Sequence, residues 1–192
     1  NALPTQNIYS ITASSSDEVS GTRHPVGTDY GYVGGGSSPG VSSIIDRIDY
    51  SSDTPTASAR GPLSAAKYAL AATGNASYAY FGGGKVPSDT SIVERIDYSN
   101  DTATGAAKGP LSKAINYLAA TGNADYGYWG GGDPGAVTTV DRIDYSNDTA
   151  AALSRGPLSS GRYNIVATGN TSYGYYAGGN TPSAHITTVD RV

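Results

Sequence analysis

The chain has 192 residues, a formal net charge of −4 and no cysteine. The missing cysteine removes disulfides and thiolate chemistry, and the singly scattered basic residues argue against a nucleic-acid partner. No apolar run approaches the roughly 18 residues a membrane helix needs, and residues 1–20 lack the basic start and apolar centre of a signal peptide, so a soluble chain without membrane insertion is expected.

In chain order, Leu3-Pro4 and Ile8-Tyr9-Ser10-Ile11-Thr12-Ala13 parallel the Pro-Leu and the 163–167 stretch near the other end. Residues 14–28, which include Asp17, Glu18, Arg23 and His24, match nothing later and are expected to form an inserted loop. From Tyr30 onward the chain repeats itself, and a fixed period of roughly 40 to 50 residues marks solenoids and propellers. Aromatic stretches ending in small residues occupy 30–36, 78–84, 126–132 and 173–179. Each is followed by a variant of Val-Asp-Arg-Ile-Asp-Tyr, at 45–50, 93–98, 140–145 and, cut short, 189–192. Three copies add Gly-Pro-Leu-Ser at 61–64, 109–112 and 156–159, then an Ala-rich run into Ala-Thr-Gly-Asn. The repeat arginines Arg47, Arg95, Arg142 and Arg191 fall 48, 47 and 49 residues apart.

Periodicity within a copy is two, the signature of strands. Tyr78 and Tyr80 share one face; Ala79 and Phe81 share the other, and small residues recur at the place of Ala79, namely Gly31, Gly127 and Gly174. A neighbouring sheet passing close on that face is the expected reason. The following glycines, Gly35, Gly83, Gly131 and Gly178 among them, can take positive φ and should end the strand. In the next strand Val93, Arg95 and Asp97 point one way and Glu94, Ile96 and Tyr98 the other. The pairs Arg47 with Asp49, Arg95 with Asp97 and Arg142 with Asp144 are thus expected to interact on one face. Ser99-Asn100-Asp101-Thr102 is turn chemistry, and a short Ala/Thr strand leads to Gly109-Pro110.

Four short strands per copy result. One such unit cannot cover its own sheet, so copies must stack. The expected fold is all-β, a β-propeller of four blades of about 48 residues with four antiparallel strands each. The blades are drawn at about 6–50 (with the 14–28 insertion), 51–98, 99–145 and 146–192, in one domain. A strand from residues 1–5 would complete the last blade and close the ring; the alternative is that two chains, or one longer chain, complete a larger propeller.

The glycine run after an aromatic strand, the Ile/Val-Asp/Glu-Arg-Ile-Asp strand, and Gly-Pro-Leu with a basic residue soon after (Lys67, Arg162) together resemble a kelch repeat over nearly all of 30–192. The resemblance implies a glycine doublet at Gly82-Gly83 and the kelch Tyr-Asp pair at Ile96-Asp97, with Ile in place of Tyr. The kelch fourth-strand Trp is absent, small residues such as Ala103 standing near its place. The Arg-Ile-Asp-Tyr-Ser-Asn-Asp-Thr and Gly-Pro-Leu-Ser phrases also resemble repeats of virion structural proteins of marine tailed phages. That resemblance implies a virion surface or tail-appendage module, extracellular or on the particle, whose partners are other assembly proteins, host surface glycans or further copies of itself.

Catalysis needs a non-repeated constellation of activated groups, and His24 and His185 are the only histidines. Both read as exposed loop residues, so no enzyme activity is expected. The copper-oxidase chemistry known on kelch propellers would need a Cys. Asp46, Asp49 and Asp53 recur as Glu94, Asp97, Asp101 and as Asp141, Asp144, Asp148. Their spacing fits no EF-hand, so turn capping and arginine pairing are the favoured duty and Ca²⁺ the alternative; no cofactor is expected. Asn75, Asn100, Asn147 and Asn170 satisfy the glycosylation triplet, but three of the four belong to repeat turns where Asn is expected for its left-handed conformation. Tyr, Ser, Gly and Asn are what adaptable binding surfaces use, and a sugar-binding propeller lectin is the second functional reading. Ligand contacts are expected where copies differ, at Trp129, His24 and His185. Trp129, mid-strand, reads first as core.

Overall fold

A computed structural model describes residues 30–37, 40–52 and 54–192. The proposed closing strand at 1–5, the 14–28 insertion, His24 and Asp53 lie outside the described residues. What is described is all-β: four antiparallel sheets of three or four strands and almost no helix.

The first sheet holds β1 (Tyr30–Gly34), β2 (Ile45–Asp49) and β3 (Ser58–Ala59). The second holds β4 (Ala71–Gly74) and β5 (Tyr78–Gly82); a side ribbon of β6 (Lys85–Val86) and β7 (Ser88–Asp89) follows, and β8 (Val93–Asp97) and β9 (Ala106–Ala107) complete it. The third repeats the pattern with β10 (Ala119–Gly122), β11 (Tyr126–Gly130), β12 (Val140–Asp144) and β13 (Leu153–Arg155). The fourth holds β14 (Val166–Gly169), β15 (Gly174–Ala177) and β16 (Val189–Arg191). Short 3-10 turns at Tyr98–Asn100 and Tyr145–Asn147 are the helical pieces. The four-strand meander foreseen for every copy is complete in the second and third sheets. Those sheets run from 71 to 107 and from 119 to 155, straddling the boundaries drawn on the repeat phrases, because the chain crosses to the next sheet through the Gly-Pro-Leu segment.

Register follows the period-two pattern. Tyr80 lies opposite Arg95 and Phe81 opposite Glu94; Tyr128 and Trp129 face Arg142 and Asp141 in the same way. Each sheet therefore has a forward face carrying the Tyr pair and the repeat Arg, and a rear face carrying Phe81, Trp129 or Tyr176. Forward packs on rear. Tyr32 and Ile45 meet Ala79, Phe81 and Ile96; Tyr80 and Val93 meet Ala120, Trp129 and Ile143; Ala119 and Val140 meet Tyr176. The inner strands follow suit, β4 lying beside β10 and β10 beside β14.

Each knob needs a hole, and glycine supplies it. A Cβ on Gly34 would come within 2.9 Å of Phe81, one on Gly82 within 2.7 Å of Trp129, and one on Gly130 within 2.7 Å of Tyr176. The close approach of sheets is therefore at these strand-ending glycines. At Gly31 and Gly127, where it was expected, the space is taken instead by Tyr50 and Tyr145 of the same sheet; only Gly174 faces a preceding sheet, through Thr121. Gly82→Ala is expected to cost about 1 to 3 kcal/mol by overpacking, read as a lower denaturant midpoint with an unchanged m-value. The glycines that follow, Gly35, Gly83, Gly131 and Gly178, do take positive φ, between 62° and 74°. They end the strands as the sequence implied.

Candidate functional site

The repeated polar groups converge between sheets. Asp101, in the turn after β8, accepts from the Tyr32 hydroxyl at 3.0 Å and the Arg47 guanidinium at 2.8 Å, both on the first sheet. Asp148, one repeat later, accepts from Tyr80 at 2.9 Å and Arg95 at 2.8 Å, both on the second. Arg60 and Lys108 add a second cation to each carboxylate, at 3.3 and 3.2 Å. The tyrosine that opens each turn stacks on the same target: Tyr98 on Tyr32 with ring centroids 4.9 Å apart, Tyr145 on Tyr80 at 4.6 Å. A repeat arginine lies over each first tyrosine, Arg47 on Tyr30, Arg95 on Tyr78, Arg142 on Tyr126 and Arg191 on Tyr173, at 4.1 to 4.5 Å. Arginine suits this place because its planar cation can stack and donate at once.

The pairing expected within one strand is thus corrected. Asp97 shares a face with Arg95, but its carboxylate accepts from the backbone and hydroxyl of Ser99; Asp49 and Asp144 do the same with Ser51 and Ser146. Those local donors win because they sit two residues away, at no cost in chain ordering. The serine bonds first, and behind them the charge of Arg47, Arg95 or Arg142, hold the three carboxyls below the usual range, against a burial effect that opposes them. The first carboxylate of the phrase goes elsewhere again: buried Glu94 takes the buried Lys67 ammonium and the Ser64 amide. Asp190 pairs with buried Arg162 at 2.9 Å. In the copy between, Ile115 stands where Lys67 and Arg162 stand, so Asp141 takes only the Ser112 amide, and its Oδ1 has no partner among the described residues. The acidic phrase therefore spreads over three locations rather than meeting at one.

Burial first, and then the Asp101 hydrogen bond and charge, push the Tyr32 hydroxyl up to about 12, and the same causes push Tyr80 higher. Burial likewise raises Tyr98, Tyr145 and Tyr176. An unfolded tyrosine titrates near 10. The neutral form is the one the fold favours, so this stability is fully present below about pH 10 and lost as pH climbs through about 12. In an alkaline titration the buried tyrosines should ionise only well above pH 10, together with loss of the far-UV CD signal. A single ionisation of every tyrosine near pH 10 with the fold intact would contradict it.

Among the sequence candidates, Trp129 is 2% exposed and donates its indole N–H to the Ala71 carbonyl at 3.2 Å, which makes it core. His185 is exposed, its Nδ1 against the Asn180 side chain. Asn75 and Asn170 are turn residues, but they work by accepting backbone amides two and three residues on. Among the described non-glycine residues, the left-handed positions fall elsewhere, at Ala69, Tyr117 and Asn164, which are equivalent positions in three copies, with Ala136 besides. The backbone links the repeated positions from sheet to sheet, Tyr117 donating to Ala69 and Asn164 to Tyr117, each at 2.9 Å.

A cleft of about 70 Å³ opens between the third and fourth sheets, lined by Thr121, Asn123, Tyr128, Asn170, Tyr173 and Val192 among others. Tyr128 borders it, and Arg142, its cross-strand partner, has its Nε buried without an acceptor among the described residues. No helix in the described residues is long and apolar enough to cross a membrane. No protein-family model matches the chain, and no curated protein matches it.

Proposed function

We propose that the four sheets are successive blades of a divergent kelch-like β-propeller that acts without catalysis, as a structural and binding module of a virion surface or tail appendage. One observation carries the reading: the repeated Tyr, Arg and Asp side chains are engaged in tying consecutive sheets together at Asp101 and Asp148. Groups committed to such ties serve a scaffold, and the variable loops are left for recognition. The virion setting rests on the likeness of the Arg-Ile-Asp-Tyr-Ser-Asn-Asp-Thr phrase to phage repeats. Mass spectrometry or imaging of the purified native particle tests it: the chain should copurify with other assembly proteins, and recovery as a free protein would refute it.

The cleft beside Tyr128 favours one second reading, a sugar-binding lectin, because tyrosine rings with nearby amide and hydroxyl groups suit a polar ring ligand. A glycan array decides between the two. Saturable binding competed by free sugar supports the lectin; binding to the assembly partner alone supports the scaffold.

A further inference from the structure

We propose that Asp141 holds a monovalent cation, of about the size of an ammonium ion, in the junction between the second and third sheets. The three described junctions are built alike around one position of the segment that follows Gly-Pro-Leu. The carbonyls of Lys67, Ile115 and Arg162 accept from Gly36, Gly84 and Gly132, and their amides donate to Ser42, Thr90 and Val137, so the three side chains start from one backbone arrangement. Lys67 and Arg162 each carry a cation, at most 1% exposed, to the carboxylate on the rear face of the sheet that follows: Lys67 to Glu94 and Arg162 to Asp190. Ile115 carries none.

The carboxylate is nevertheless kept. Asp141 is 4% exposed, and one of its oxygens accepts from the Ser112 amide at 2.8 Å, as Glu94 and Asp190 accept from Ser64 and Ser159. The other, Oδ1, is buried with no partner among the described residues. An ionised carboxylate taken out of water and left unpaired is costly. The charge that the chain itself supplies in the two neighbouring junctions has to come here from solvent.

The surroundings are those of a hard cation. In the next junction the Arg162 guanidinium also donates to the Tyr176 carbonyl at 3.0 Å, and Trp129 has the place of Tyr176, lying opposite Asp141 as Tyr176 lies opposite Asp190. A backbone carbonyl is therefore present at the corresponding place. Ser154 lies opposite Asp141 in the pairing of β12 with β13, where Ala107 lies opposite Glu94 in the sheet before. Residues opposite one another share a face, so a hydroxyl oxygen is gained in the copy that loses the cation. Ser154 is exposed, which gives an ion a route from solvent. Carboxylate, carbonyl and hydroxyl oxygens are the donors hard cations take. One carboxylate balances one positive charge, as it does at Lys67 and Arg162, so the ion is monovalent, and potassium, close to ammonium in size, is the probe.

Thermal unfolding of the full chain, followed by far-UV CD, is compared in potassium chloride and in choline chloride at equal ionic strength, which holds screening constant. The choline ion, far larger than an ammonium, is the control. The midpoint should be higher in potassium and rise by roughly 3 to 5 °C for each tenfold increase above the dissociation constant. Ile115→Lys supplies an ammonium as Lys67 does, and Asp141→Asn removes the charge; neither should show the potassium-dependent rise. Ile115→Lys combined with Asp141→Glu reproduces the Lys67–Glu94 pair and repeats the test should the single lysine variant fail to fold. Equal wild-type midpoints in the two salts would mean that Oδ1 meets water alone and would overturn the proposal. A potassium dependence that survives in Asp141→Asn overturns it as well, since the ion then binds elsewhere.

Discussion

Trp129→Ala should lower the unfolding free energy by about 4 kcal/mol and the melting temperature by roughly 8 to 16 °C. The indole is the largest fully buried side chain, set on the rear face of the third sheet against Gly82 of the second. Truncation removes the transfer energy of the ring and leaves a cavity, because Gly82 offers nothing that can collapse into it. It also leaves the Ala71 carbonyl without its indole donor. Trp129→Phe separates these contributions: Phe81 already fills the equivalent hole at Gly34, so the loss should be smaller, with the missing hydrogen bond worth about 1 kcal/mol. Denaturation followed by far-UV CD measures both, since Trp129 is the only tryptophan and the variants lose that fluorescence. A loss below about 1 kcal/mol for the alanine variant would mean that the sheets do not depend on one another.

The strands and their faces were legible because a strand's parity is local: Tyr80 and Arg95 had to share a side, and they do. Positive φ at Gly83 was legible for the same reason, a backbone requirement that only glycine meets cheaply. Partner choice was not local. Sequence spacing put Asp97 nearest Arg95, yet the cation reaches the carboxylate of Asp148, 53 residues on. Nothing in one strand reveals which turn of the following sheet will face it. A signal was nonetheless present: Asp101 and Asp148 occupy the same place in successive copies as a turn residue with no local bond to make, whereas Asp97 and Asp144 each precede a serine by two. The two glycine roles were exchanged for a similar reason. Gly127 and Gly130 look alike in sequence, but the first yields to Tyr145 of its own sheet and the second to Tyr176 of the next.

Removing the carboxylate that two sheets share is the other large loss, with Asp148→Ala expected to cost about 3 kcal/mol. The carboxylate is buried and serves Tyr80, Arg95 and Lys108 together, so its loss leaves a hydroxyl and two partly buried cations without their acceptor. Asp148→Asn keeps an acceptor for Tyr80 but no charge for Arg95 and Lys108, and it should fall between alanine and wild type. Asp144→Ala, four residues earlier, removes local bonds to the Ser146 amide and hydroxyl in its own exposed turn and should cost far less. Salt separates the two kinds of contact, because a buried pair is screened little while an exposed one is screened strongly. The Asp148→Ala deficit should therefore persist in high salt. Arg95→Ala on top of Asp148→Ala should cost less than the sum of the two, since each removes the other's partner. A fully additive pair would show that the two residues do not act on each other.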